Sequence, residues 1–294
     1  MKSKFFHLLL LGAAALAVLA PSALAQRQLG KKKGPNSKIY VAESTGDSQI
    51  TNDDKVYTAK QATAFDAPGT VIETKADSHN AFVYSNGTGM YVDQNTRVEI
   101  NRFVQEPFQP SRNASSDNPY EPSVSQSNVH VAHGAVAICT SQLVSGSTMN
   151  YTTPEAAVNI RNGKVSIETK DDESTIDLLE GDITIRGGGK DSGGQVLRPG
   201  ERAVIRPGAA GQPASITIGP IPPAALPALD EKASIACNAK KTVSFEVIEK
   251  TAALGPNGTG SADGSDQEIV PKPTVPGDLP SNITVSVDRL PGGA

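Results

Sequence analysis

The chain is expected to fold as an all-β protein with a short helix and a disordered Pro/Gly-rich tail toward its C-terminus. Three observations carry that expectation. β-Branched residues alternate with polar ones, the period of a half-buried strand. The alternating runs are short and separated by Asn-Gly, Glu-Gly and Pro-Gly pairs. Aromatic residues make up only 4% of the chain and Trp is absent, so the core must rest on Val, Ile, Leu and Ala.

The pattern is clearest from Ala157 to Pro207. If Asn162-Gly163 is a two-residue turn, Ile160 faces Val165 and Val158 faces Ile167 on one side. Treating Glu180-Gly181 the same way sets Leu178 opposite Ile183 and Ile176 opposite Ile185. Two independent turns thus give one apolar face, and all eight residues are expected to point inward. This array holds no His or Cys and no usual catalytic grouping, so it reads as scaffold.

Taken in order, the chain opens with a targeting segment, residues 1–25. Lys2 and Lys4 precede an apolar run, Leu8–Ala20, and Pro21 breaks it. Ala23-Leu24-Ala25 then supplies small residues for cleavage between Ala25 and Gln26. The apolar run is short of the ~20 residues a spanning helix needs, and no later stretch is apolar enough to span, so the mature chain is expected to have no transmembrane span. Residues 26–37 read as a flexible leader. A β domain is expected over 38–218, beginning with Ile39-Tyr40-Val41. Ala81–Tyr84 and Met90–Val92 flank Asn86-Gly87, which predicts a hairpin with Val83 facing Met90. Apolar residues on both faces of that pair predict strands covered twice.

Residues 105–126 interrupt the pattern with Pro107, Pro110, Pro119 and Pro122. Such a stretch is a linker or an insertion; an insertion in one domain is preferred, because neither half has an obvious complete core. Residues 219–250 predict a short helix at Pro227–Lys240, with Pro227 in the first turn, then a strand through Val243, Phe245 and Val247. From 251 to 294, Pro and Gly reach about 30%, a level at which disorder is the default.

The formal net charge is −4, and no basic–aromatic patch points to nucleic acid. Cys139 and Cys237 are the two cysteines. A bridge would close a loop of roughly 100 residues, worth about 4–5 kcal/mol in the chain-entropy model; two buried thiols are the alternative. His130 and His133 lie three apart, on opposite faces of a strand, and do not suit a shared metal. Asp171-Asp172-Glu173 reads as a solvated turn, and Asp263–Asp266 lacks the spacing of a calcium loop. The glycines of 187–194 precede no helix that could present its N-terminus to a phosphate. No catalytic, cofactor-binding or metal residues are assigned.

Several stretches carry a family likeness. Val71–Ile100, with Ser78, Asn86-Gly87-Thr88 and Asn95-Thr96, resembles the FecR-type periplasmic domain of bacterial iron-dicitrate regulators. Gly146-Ser147, Thr153-Pro154, Ala157–Arg161, Leu179–Ile183 and Leu197–Glu201 continue the resemblance, which covers Lys55–Arg206. It implies a FecR-like β-sandwich or a solenoid-like winding of twisted sheets, in which the Asn-Gly and Glu-Gly positions become corners. It also implies a non-enzymatic module that senses or relays through protein contacts. Full regulators of this kind place a cytoplasmic anti-sigma segment and a membrane span before the domain; a cleavable leader stands there in this sequence. The expectation is therefore a periplasmic or secreted protein-binding module in envelope signalling, using strand edges or the loops at 105–126 and 186–195. The alternative is a structural or glycan-associated envelope protein.

Overall fold

The computed structural model describes residues 37–108, 120–187, 193–209, 212–249 and 267–274. The leader, its Ala25/Gln26 junction, Asp263–Asp266 and most of the C-terminal tail lie outside the described residues. The strands are β1 (Lys38–Thr45), β2 (Ser48–Asn52), β3 (Lys55–Thr58), β4 (Ala64–Asp66), β5 (Val71–Thr74), β6 (His79–Tyr84), β7 (Gly89–Val92) and β8 (Arg97–Gln105). They continue as β9 (Ser125–Thr140), β10 (Thr148–Thr152), β11 (Ala157–Lys170), β12 (Glu173–Arg186), β13 (Gln195–Leu197), β14 (Glu201–Arg206) and β15 (Ser215–Pro220). Helix α1 (Leu226–Ala239) and the pair β16 (Val243–Glu249) and β17 (Gln267–Pro273) follow.

β1 to β15 form one hydrogen-bonded network that does not close. Three long strands divide it into two layers. The first half of β9 pairs with β8 and, in parallel, with β10, whereas its second half pairs with β7 and β11. β11 and β12 divide likewise, pairing with β10 and β13 at one end and with β9 and β14 at the other. We call the layer containing β8, β10 and β13 sheet A and the layer containing β1, β6, β7 and β14 sheet B. Val, Ile and Leu from both fill the space between them.

The passage between layers requires glycine. Gly163 and Gly181 lie opposite each other with φ of 119° and 106°. A Cβ on Gly163 would sit 1.9 Å from the Glu180 carbonyl oxygen, and one on Gly181 2.1 Å from that of Asn162. Only glycine tolerates both the dihedral and the approach. These positions are corners inside long strands rather than two-residue turns, so the expected hairpin partners are corrected. Val158 faces Ile185, Ile160 faces Ile183, Val165 faces Leu178 and Ile167 faces Ile176. All eight are 0–1% exposed; full burial of such side chains contributes about 1.5–3 kcal/mol each. The turn that does reverse the chain is Asp171-Asp172, with φ of 51° and 59°, the left-handed pair that a two-residue hairpin requires.

Two further expectations are corrected. In the β6–β7 hairpin Phe82, not Val83, faces Met90, because Ser85–Thr88 forms a four-residue turn held by the Thr88 amide donating to Asn86 Oδ1. Part of the stretch expected to be a disordered tail is strand: β17 pairs with β16 throughout, and alternation buries Ile269 and Pro271. The Pro-rich stretch joins β8 to β9, whose ends meet at Gln105 and Ser125.

α1 begins with a proline in its first turn, where a missing N–H costs nothing. Its buried residues are Ala233, Ala236 and Ala239, and it lies on the outer face of sheet B. β6 and β7 are therefore covered twice: Phe82, Met90 and Val92 enter the main core, while Ala81, Val83 and Tyr91 meet the helix side.

Candidate functional site

Among the described residues no helix or strand pair packs on the outer face of sheet A. Along β9 and β10 the odd-numbered residues Val129, Val131, Met149 and Tyr151 enter the core. The even-numbered ones point outward, as the period of a strand demands. Pairing then aligns Asn128 with Asn150, Asn150 with Asn159, and Asn159 with Thr184, one from each of four neighbouring strands. Asn159 Nδ2 donates to Asn150 Oδ1 at 2.9 Å, whereas Asn128 Oδ1 is shielded from solvent and has no hydrogen-bond partner among the described residues. Beside this row His130 Nδ1 lies 3.1 Å from Thr152 Oγ1. The flank at β5 and β8 carries Arg97, paired with Glu73 and Glu99.

At one end the face opens into a cleft of about 460 Å³ between the Gln142–Thr148 loop and Asn159–Asn162. Its walls are mostly amides and hydroxyls, with Arg161 and Asp182 contributing one charge of each sign. The loop is held from beneath by Glu121, which is buried at 3% exposure. The Val144 amide donates to Glu121 Oε1 at 2.9 Å and the Ser125 hydroxyl to Oε2 at 2.7 Å. Ser147 Oγ accepts the Ser125 amide and Asn86 Nδ2 donates to Ser125 Oγ. Burial pushes the Glu121 carboxyl above its ordinary value, while the donors from Ser147, Ser125, Val144 and Asn86 oppose that shift.

At the other end of sheet A the carboxylate of Glu155 accepts from Ser174 and Thr169, and Thr153 Oγ1 accepts the Ala156 amide. The stretches that carry the family likeness thus supply Asn86, Ser147 and Thr153 to buried networks that shape loop ends. Their role is architectural.

The outer face of sheet B is different. Cys139 and Cys237 are bonded with Cα atoms 5.1 Å apart, fixing α1 to β9. Lys232 Nζ pairs with Asp93, and Lys240 Nζ donates to Ser141 Oγ at 2.9 Å. Gly89 lets the helix backbone approach, since a Cβ there would lie 1.9 Å from the Ala236 carbonyl oxygen. Burial holds the Lys240 ammonium below its ordinary value, with Lys241 adding to the effect.

The remaining candidates do not assemble. His133 is exposed beside the Gly134 corner, and His79 lies 3.5 Å from Glu43 on sheet B, away from His130. Among the described residues no group of three or more His, Cys, Asp or Glu could hold a metal ion, and no helix is long and apolar enough to cross a membrane. Glu121 and the asparagine row were missed in the sequence. The first hides in a Pro-rich stretch, and the second is assembled by strand pairing across distant segments.

Residues 70–184, from the start of β5 into β12, match the model of the FecR family, described as FecR protein. Two crystal structures of a candidate anti-sigma factor from Parabacteroides distasonis ATCC 8503 resemble the chain at 13% and 12% identity, with TM-scores of 0.39 and 0.38. The alignments cover 54% of this chain and 62% and 63% of those chains, so this chain spans less than two thirds of their length. No curated protein matches.

Proposed function

We propose that this chain is a non-catalytic, extracytoplasmic FecR module that binds a protein partner in envelope signalling. The FecR-family match over residues 70–184 is the observation that carries the reading. The polar groups that could have been chemical are engaged elsewhere: Glu121 and Glu155 hold loops, Cys139 and Cys237 hold a helix, and Arg202 clasps Asp177 through two hydrogen bonds of 2.6 and 2.8 Å. What is left for recognition is surface. Among the described residues β13 and β15 each pair with a neighbour on one edge only, β12 and β14 respectively, and Val196 on β13 is 65% exposed. An unpaired edge offers backbone donors and acceptors to an added strand. Residues 187–194 connect β12 to β13 in the chain.

The N-terminal segment is proposed to direct export and to be removed after Ala25; N-terminal sequencing of the exported chain should begin at Gln26. Partner binding is tested by capturing envelope proteins on the mature chain and on a variant in which 187–194 is replaced by a short Gly-Ser linker. A specific partner, identified and re-purified, should bind the first and not the second. Failure to recover one, or equal binding by both, rejects the reading.

A further inference from the structure

We propose that β15 seats a second copy of this chain, whose own β15 adds to it antiparallel and makes one sheet across a two-fold axis. The proposal goes beyond partner binding, since it needs no other protein and leaves the β13 edge open. Edge strands are ordinarily guarded by shortness, charge or proline, and the other free edges among the described residues follow that rule. β4 and β13 have three residues each. β3, which pairs only with β2, begins with exposed Lys55 after Asp53-Asp54. In the outlying pair, β16 carries Glu246 and β17 carries Pro271, Lys272 and Pro273. β15 is the exception. Its run Ser215-Ile216-Thr217-Ile218-Gly219 has no charge, and proline enters only at its last residue, Pro220.

Two observations select a second copy as the occupant. First, the strand is its own complement. With Thr217 opposite Thr217, antiparallel pairing sets Ile216 against Ile218 and Ser215 against Gly219, and the reverse, as an isologous two-fold contact requires. The register of β15 on β14 is continuous from Ser215 to Pro220, so no bulge twists the edge away. Second, the inward side of the edge is incompletely covered. Ala203 and Ile205 of β14 are 0% exposed. Their partners on β15, Ile218 and Ile216, pack on the same core and stay partly exposed. A second β15 would lay an isoleucine against each, a cross-strand contact of the kind that stabilises sheets, and would continue the core across the axis. Thr217 points the other way, as alternation demands, and is exposed. The arginines behind it on β14 do not oppose the approach, because Arg202 is paired with Asp177 and Arg206 with Glu173. A contact of one strand per copy is small, so the dimer is weak and reversible.

Sedimentation equilibrium of the mature chain should show a monomer–dimer equilibrium, and exchange of the 215–219 amides should slow as concentration rises. Thr217→Lys sets like charges opposite each other at the axis. It should weaken association by about three-fold or more at low salt, with an unchanged melting temperature in dilute solution. Mixing Thr217→Lys with Thr217→Glu should restore the dimer as a heterodimer. If Thr217→Lys does not fold, the concentration dependence of wild-type amide exchange decides alone. A monomer at the highest soluble concentration overturns the proposal. So does a dimer that a folded Thr217→Lys leaves intact, which assigns the contact to another surface. Slow exchange of the 215–219 amides at every concentration overturns it too, because it assigns the edge to another segment of the same chain. None of these measurements involves an envelope partner, so this proposal and the partner-binding reading fail separately.

Discussion

The two outer faces of the sandwich are made from the same alternating strands and meet opposite ends. On sheet B the outward residues of β1, β6, β7 and β9 include Tyr40, Ala42, Val83, Tyr91 and Ala137. They are apolar, and α1 with β16 and β17 covers them. On sheet A the outward residues of β9 to β12 are mainly polar, among them Asn128, His130, Asn150, Asn159, Arg161 and Thr184, and among the described residues no helix or strand pair covers them. A face is covered when leaving it wet costs more than ordering the segment that covers it. The sheet B cover is further fixed by a covalent bond, an ion pair and a glycine contact. The bare face needs no such attachment, and its polarity keeps it available.

The largest expected effect tests the alternation on which the contrast rests. Ile183→Asp places an unpaired charge in the core and should destabilise the domain by about 4–5 kcal/mol or more. Thr184→Asp, one residue on and outward, should stay within about 0.5 kcal/mol. Chemical denaturation of both variants decides. Equal losses would mean that the face of sheet A is not solvent-facing.

Next comes the fastening of α1. Cys139→Ser with Cys237→Ser should cost about 2–5 kcal/mol, and the loss should be local. Hydrogen exchange should speed up in α1 and in β7, beside Tyr91, while β10 and β11 keep their protection. Uniform acceleration would show that the cover is part of one cooperative unit with the core. A smaller perturbation of the same contact is Gly89→Ala, whose new methyl would meet the Ala236 carbonyl oxygen. Overpacking there should cost about 1–3 kcal/mol, and the same exchange experiment should show the helix displaced rather than the sheets.

Much of this contrast was legible in the sequence, for a reason that also explains what was not. The inward set changes parity twice: Val158 and Ile160 are followed by Val165 and Ile167, and Ile176 and Leu178 by Ile183 and Ile185. A hairpin turn and a corner between layers both produce that change, so the core could be identified while its pairing could not. Long-range contact decides between them, here Gly163 against Gly181. The true reversal at Asp171-Asp172 has a weaker local signal than Asn-Gly, because Asp adopts a positive φ less readily than Gly. The double covering of β6 and β7 was visible because apolar residues occupy both of their faces. The asparagine row was invisible, since Asn128, Asn150 and Asn159 become neighbours only through the parallel pairing of β9 with β10 and the antiparallel pairing of β10 with β11.

The smallest effect separates the two faces by pH. Glu121 supports the cleft at the end of sheet A, and burial raises its carboxyl above the ordinary value of 4.5. A raised folded pKa means that the folded state holds the proton more tightly than the unfolded chain does. Its contribution to stability is therefore fully present below the unfolded pKa and is lost as pH rises through the folded one. Glu121→Gln cannot titrate, so the difference in melting temperature, wild type minus variant, should be most positive near pH 4 and shrink as pH rises. Because the variant amide also meets the Val144 N–H with a donor in one orientation, a pH-independent offset of about 1 kcal/mol is expected on top. The slope, not the offset, carries the argument. The exchange rates of the Gln142–Thr148 loop should follow the same titration in the wild type, and those of α1 should not. A slope of opposite sign would mean that the donors from Ser147, Ser125, Val144 and Asn86 outweigh burial, and that the cleft is built to hold Glu121 ionised.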